Sequence, residues 1–240
     1  MDVGLGCLDP SSKLIQSERK VLIMKKSIIA LAALFAAAGA QANTISYNFS
    51  NPVSTTEITQ TGTLGLFDST LGTLTGASLE LQGAARFAFT GTNSAAQAQT
   101  ANITSSTDLF WSSSIAALSA IVSGTDVFLS LSSGPQSYAS GETKSFGPSN
   151  KNASVVDDLA SILASMEAAG GGNFTLTCNS LSGLAVQGGG GNIDTTQDTA
   201  AGCGARIVYT YDEQKVPEPA SLALLGLALA GAGVSRRRKA

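Results

Sequence analysis

Short runs in which apolar and polar residues strictly alternate recur along the middle of this chain, and they constrain it to strands. In "ASLELQG" the alternation sets Leu79 and Leu81 on one side and Glu80 and Gln82 on the other. "RFAFTG" does the same with Phe87 and Phe89, and "ARIVYTYDE" with Ile207, Tyr209 and Tyr211. "DVFLSLSSG" and "NFTLTCN" repeat the pattern. A two-residue period buries one face of an antiparallel strand and leaves the other in water. Glycine and asparagine clusters separate the runs at sandwich-like intervals. The expected fold is therefore all-β: an antiparallel β-sandwich of jelly-roll type.

One segment departs from the period. In "NASVVDDLASILASMEAAGGG", Val155, Leu159, Ile162, Leu163 and Met166 recur at helical spacing. Ser154 stands where a cap would, Asp157 follows three residues later, and Gly170 follows the last turn. The spacing predicts one amphipathic helix of three to four turns packed on the sandwich. Asp157 and Asp158 would then sit in its first turn, where carboxylates complement the helix dipole rather than act as an acid/base pair.

The two ends have a different character. From Met24 the chain reads "MKKSIIALAALFAAAGAQANTISYNFS", with Lys25 and Lys26 as a positive start and Ser27 to Gly39 as an apolar run. Ala40-Gln41-Ala42 supplies a small-x-small cleavage site, placing the cut before Asn43. Residues 24–42 are thus expected to be a secretory signal helix, read by the Sec export machinery and signal peptidase. Residues 1–23 stand upstream of an otherwise standard signal, and Met24 is the expected start. Residues 43–215 are then the exported domain, and residues 216–240 form a separate tail. Its apolar part, Ala220 to Val234, would reach about 22 Å as a hydrophobic helix, against about 30 Å of bilayer hydrocarbon. Arg236, Arg237, Arg238 and Lys239 follow at once and favour the cytoplasmic side of the inner membrane. The domain before them then lies outside, the side to which the signal peptide also sends it.

Export frames the chemistry. Of three cysteines, Cys7 precedes the expected start, leaving Cys178 and Cys203 in a compartment that permits disulfides; an even pair there reads as one bridge, with two free thiols or a metal pair as the alternatives. The chain has no histidine. Ser-His-Asp and Cys-His nucleophile systems and histidine-based metal motifs therefore cannot be built, and no catalytic residue or cofactor is expected. Between Asn43 and Lys215 the cations are Arg86, Lys144, Lys151, Arg206 and Lys215, outnumbered by Asp and Glu. An acidic domain is a poor match for nucleic acid.

Weaker features each have two readings. Asp194 and Asp198 in "GGGGNIDTTQDTAAG" offer oxygen ligands for calcium, but their spacing matches no calcium loop, and a plain polar loop is the simpler account. The glycines 170–172 and 188–191 do not precede a helix, as a phosphate cradle requires, and read as turns. Phe110 and Trp111 in "TDLFWSSS" would form a sugar-stacking platform if exposed, whereas aromatic bodies are more often core. Four N-x-Ser/Thr sites, at Asn48, Asn102, Asn152 and Asn173, matter only where glycosylation machinery exists.

Val216-Pro217-Glu218-Pro219, the Gly/Ala/Leu-rich run and the terminal basic cluster together resemble the PEP-CTERM sorting signal of Gram-negative bacteria. The resemblance implies recognition and cleavage near Pro-Glu-Pro by an exosortase, in organisms that typically make extracellular polysaccharide. "LGLFDSTLGTLTGASLEL", "GGGNFTLTCN" and "ARIVYTYDE" make the exported domain similar to the choice-of-anchor E family of surface domains. The expected function is accordingly that of an exported surface or extracellular-matrix structural protein without catalytic activity. The alternative is a surface polysaccharide-binding module, with or without the assistance of calcium.

Overall fold

The computed structural model describes residues 42–214. The expected signal peptide up to Gln41, the expected start at Met24 and the tail from Lys215 lie outside the described residues. Within them the chain forms strands β1 (Ala42–Ser50), β2 (Ser54–Thr55), β3 (Thr59–Gly65), β4 (Phe67–Asp68), β5 (Gly72–Asn93) and β6 (Gln99–Ser113). A short helix α1 (Ala116–Val122) follows. Then come β7 (Asp126–Ser132), β8 (Gln136–Tyr138), β9 (Thr143–Asp158), β10 (Glu167–Ala168), β11 (Asn173–Gly188) and β12 (Ile193–Glu213).

Two five-stranded sheets face each other. The first has the order β1-β12-β5-β9, with β2 added beside β12; the second has the order β3-β11-β6-β7, with β8 added beside β6. All pairings within these sheets are antiparallel. The chain alternates between sheets from β1 to β3 to β5, then runs β6, β7, β9, β11 and β12, which is the double Greek-key order of a jelly roll. The alternating runs of the sequence are the strands that make it. Leu79, Leu81, Phe87 and Phe89 of β5 point inward, as do Val127 and Leu129 of β7, Phe174 and Leu176 of β11, and Ile207 and Tyr209 of β12. Each fully buried Leu, Ile or Phe side chain contributes roughly 1.5 to 3 kcal/mol through removal from water.

Two of the runs belong to one continuous element. The stretches around Leu79 and Phe87 are both β5, a 22-residue strand, and β12 pairs with it along nearly its whole length. Polar links also join the sheets. Tyr209 of the first donates its hydroxyl to the Gly65 carbonyl of the second at 2.9 Å. Burial, with Tyr47 nearby, pushes that hydroxyl's pKa far up and favours its protonated, donating form.

The helix expected over residues 154–169 does not form. Lys151 to Asp158 continue β9, which pairs with β5 from Ser78↔Asp158 to Thr92↔Thr143. Ala160–Ser165 make 3-10 turns, and Glu167–Ala168 pair in parallel with Phe67–Asp68. Leu159 and Met166 are fully buried. Their spacing imitates helical periodicity because an irregular loop dips into the core at intervals, while Val155 and Val156 are exposed, β-branched residues of an edge strand. The seven-residue α1 is a helix that the sequence did not announce. It buries Leu118 and Val122, four residues apart on one face.

Candidate functional site

The ends of the domain define the first functional element. β1 begins at Ala42, and Ala42 pairs with Asp212 while Asn43 pairs with Tyr211. The chain leaves the fold at Gln214, whose amide donates to the Leu71 carbonyl at 3.3 Å. The expected signal-peptide cut between Ala42 and Asn43 and the exit toward the tail therefore lie side by side at one pole of the first sheet. Cleavage there would leave the rungs from Asn43↔Tyr211 to Ser50↔Gly204 intact. Ala40, Val216, Pro217, Glu218, Pro219, Arg236, Arg237, Arg238 and Lys239 lie outside the described residues.

The expected cysteine pair is joined. Cys178 of β11 and Cys203 of β12 form a disulfide with Cα atoms 6.4 Å apart, so the bridge crosses from one sheet to the other. Both residues are buried. Closing a loop of this size stabilises the fold by roughly 3 to 4 kcal/mol on the chain-entropy estimate.

Phe110 and Trp111 do not form one platform. Neighbours on a strand point to opposite faces, and here Trp111 is core at 3 % exposure while Phe110 stands 43 % exposed on the outer face of the second sheet. Trp111 is the cross-strand partner of the disulfide residue Cys178. Phe110 has different company. Its rung across β11, β6 and β7 reads Asn179, Phe110, Asp126, and the adjoining outward rung reads Leu181, Asp108, Phe128. Phe128 and Leu181 are 56 % and 58 % exposed. Apolar and acidic side chains thus form a checkerboard, with Phe110 diagonal to Phe128 and to Leu181 at roughly 7 to 8 Å between backbones.

The aspartates considered for calcium also land differently. The polar loop reading fails from Ile193 onward, because Asp194 and Asp198 are strand residues of β12 opposite Thr92 and Ala88. They stand four residues apart on one strand, and Asp198 faces Arg86 at 3.7 Å. Among the described residues no three of Cys, Asp and Glu gather as a metal cluster. Asp157 and Asp158 close β9 instead of opening a helix. Asp157 accepts a hydrogen bond from the Thr125 hydroxyl at 3.0 Å, and Asp158 accepts one from the Ala160 amide at 3.0 Å.

A concave site that the sequence analysis missed lies on the outer face of the first sheet. There β12, β5 and β9 form a grid of outward residues. Its successive rungs are Arg206–Glu80–Val156, Gly204–Gln82–Ser154, Gly202–Ala84–Asn152 and Ala200–Arg86–Asn150. At Gly202 the segment after β1 folds over β12, and at Gly204 the end of β1 itself approaches closely. A Cβ on Gly202 would lie 3.1 Å from the Asn51 carbonyl and from Val53 Cα, and one on Gly204 would lie 3.0 Å from the Phe49 carbonyl. Only glycine lets that segment pack so closely. The segment borders one side and β9 the other of an open groove of about 510 Å³ lined by Ser50, Asn51, Glu80, Gln82, Asn152 and Ser154 over Ala84 and the glycines. An adjoining depression of about 480 Å³ shares Ala84 and Asn152 and runs on to Arg86 and Asn150. The sequence signal was the Ala/Gly alternation of "AAGCGA", which reads as weak strand until the wall it admits is seen.

Comparison with known proteins adds one specific result. No curated protein matches the chain. A structure of Desmodium yellow mottle tymovirus is 10% identical over 91% of this chain and 94% of that one, with a TM-score of 0.24. The VP2 subviral particle of infectious bursal disease virus is 11% identical over 79% of this chain and 48% of that one, at 0.17. The parasporin-2 toxin of Bacillus thuringiensis is 11% identical over 73% and 70%, at 0.09. At such scores these likenesses carry no weight for function. Among the described residues no helix is long and apolar enough to cross a membrane. Residues 215–239, beginning one residue after the fold ends, match the PEP-CTERM protein-sorting motif. The chain therefore carries a signal that implies export, a transient membrane anchor and processing by an exosortase.

Proposed function

We propose that this is a non-catalytic cell-surface or extracellular-matrix protein. The Sec machinery and signal peptidase deliver it across the inner membrane, and the exosortase-processed tail holds it there briefly before it is sorted outward. The observation that carries the proposal is the sorting motif at residues 215–239, set directly against a domain that is complete without it. The exported jelly roll is of the choice-of-anchor E type. Support for a structural role comes from the absence of histidine and from the placement of the acidic side chains. Asp108 and Asp126, diagonal neighbours on β6 and β7, stand on an outer sheet face and not across a cleft of the kind glycoside hydrolysis requires.

A second reading, contact with extracellular polysaccharide, is favoured by the polar groove on one sheet and by the exposed Phe110 and Phe128 on the other.

Deleting residues 216–240 tests the sorting claim. The truncated protein is expected to keep its disulfide and its thermal transition while losing its normal distribution among membrane, surface and medium. Unchanged fractionation overturns the proposal.

A further inference from the structure

We infer that the groove over β5 is a binding site for an extended, hydroxyl-rich, uncharged chain, a segment of neutral polysaccharide. The inference rests on the polysaccharide reading above and names the site and ligand class it leaves open.

The lining selects the chemistry. Gln82 and Asn152 carry side-chain amides, each with a donor and an acceptor, and Ser50 and Ser154 carry hydroxyls, while Asn51 lines the groove with its side-chain nitrogen donating to the Thr61 carbonyl at 3.5 Å. Sugar hydroxyls likewise donate and accept, so this set pairs with them in either sense. No aromatic side chain lines either depression, and the one aliphatic side chain larger than alanine is Val53 of the second, too little apolar surface for a lipid or a drug-like ligand. Charge is nearly balanced: Glu80 lies beside Arg206 at one end, and Arg86 is engaged by Asp198 at the other. A polyanion would gain little there.

Shape selects an extended ligand. The two depressions join at Ala84 and Asn152 and follow β5 from Glu80 to Arg86, roughly 20 Å at the rise of a strand. The glycines and alanines of the floor allow a flat ring to lie close to the backbone. An extended peptide is the obvious competitor, but strand addition needs unpaired backbone groups. β5 is laddered on both sides, to β12 and to β9, so the floor offers a ligand only side chains.

Full-length protein in detergent should be run through native gels containing hydroxyethylcellulose, galactomannan or dextran, and in parallel through polygalacturonate. Retardation by at least one neutral polymer, and less by polygalacturonate, is expected. Ala84→Phe fills the floor, and the pair Gln82→Ala with Asn152→Ala removes two amides. Each is expected to weaken retardation about tenfold, the equivalent of one or two hydrogen bonds. Both substitutions are on the outer face, and an unchanged thermal midpoint verifies the fold. Phe110→Ser removes the competing aromatic candidate on the other sheet. If Phe110→Ser abolishes binding while the groove variants retain it, the polysaccharide reading stands and this site is overturned. Retardation only by polygalacturonate overturns the ligand class. No retardation of the unaltered protein in any polymer overturns both.

Discussion

The two sheets have the same inside and different outsides. Inward they are interchangeable: Leu79 and Leu81 on one and Leu109 and Leu176 on the other all bury completely. Outward, the first sheet has glycine at Gly202 and Gly204, and its surface becomes a groove walled by folded-over chain. The second carries Phe110, Phe128 and Leu181 between acids and hydroxyls, and its surface is a patterned face. The core alternation determines that a sandwich forms, and the residues of the opposite parity determine what each face can hold. Stability and recognition are thus separated on neighbouring residues of the same strand.

The adjacent pair Phe110 and Trp111 tests that separation most severely. Trp111→Ala should cost about 3 to 5 kcal/mol, the range for deleting a large buried aromatic side chain. Phe110→Ala and Phe128→Ala should each change stability by less than about 0.5 kcal/mol, as exposed substitutions do. Urea unfolding of the three variants measures both, and comparable losses would mean that the outer face is part of the core after all. The bridge between the sheets comes next. Replacing Cys178 and Cys203 together by alanine should lower stability by about 3 to 4 kcal/mol relative to the oxidised protein. Reducing agent should have little effect on that variant. A midpoint equal to that of the oxidised protein would show that packing alone holds the sheets in register.

How much of this was legible follows the same division. The strands containing Leu79, Phe87, Phe174 and Ile207 were readable because burial imposes a period of two, and the disulfide was readable from an even cysteine count in an exported chain. The segment from Val155 to Met166 misled because core contacts from a loop have no fixed period, and five apolar residues fell by chance at helical spacing. β12 from Ile193 to Asp198 looked like loop because its apolar residues are few, and its pairing with β5 supplies what its own side chains do not. The groove was not legible at all from composition. Gly202 and Gly204 announce close approach of something, but only the fold shows that it is the end of β1 and the segment after it.

Acid provides the gentlest probe, because a carboxyl held in its charged form by hydrogen bonds stands at the pole where the sheets close. There Phe67 packs against Tyr211 of the first sheet with ring centres 5.1 Å apart, and Leu66 bonds through its amide to the Gly172 carbonyl just before β11 of the second. Asp68 ties this closure. Its Oδ1 accepts hydrogen bonds from the Thr70 amide at 2.9 Å, the Thr70 hydroxyl at 2.8 Å and the Gly170 amide at 2.9 Å. These bonds, those of Thr70 foremost, hold the Asp68 carboxyl below the usual carboxylate range. A carboxyl with a depressed folded pKa binds protons less readily folded than unfolded, so its contribution is present above the ordinary Asp value. That contribution disappears as pH falls through the folded value. Asp68→Asn keeps an oxygen acceptor but removes the charge. The variant should therefore lose less of its urea midpoint than the unaltered protein when pH is lowered from about 6 to about 2.5. If the two lose the same amount, acid acts elsewhere, and the pole is not the point at which the two sheets are pinned by charge.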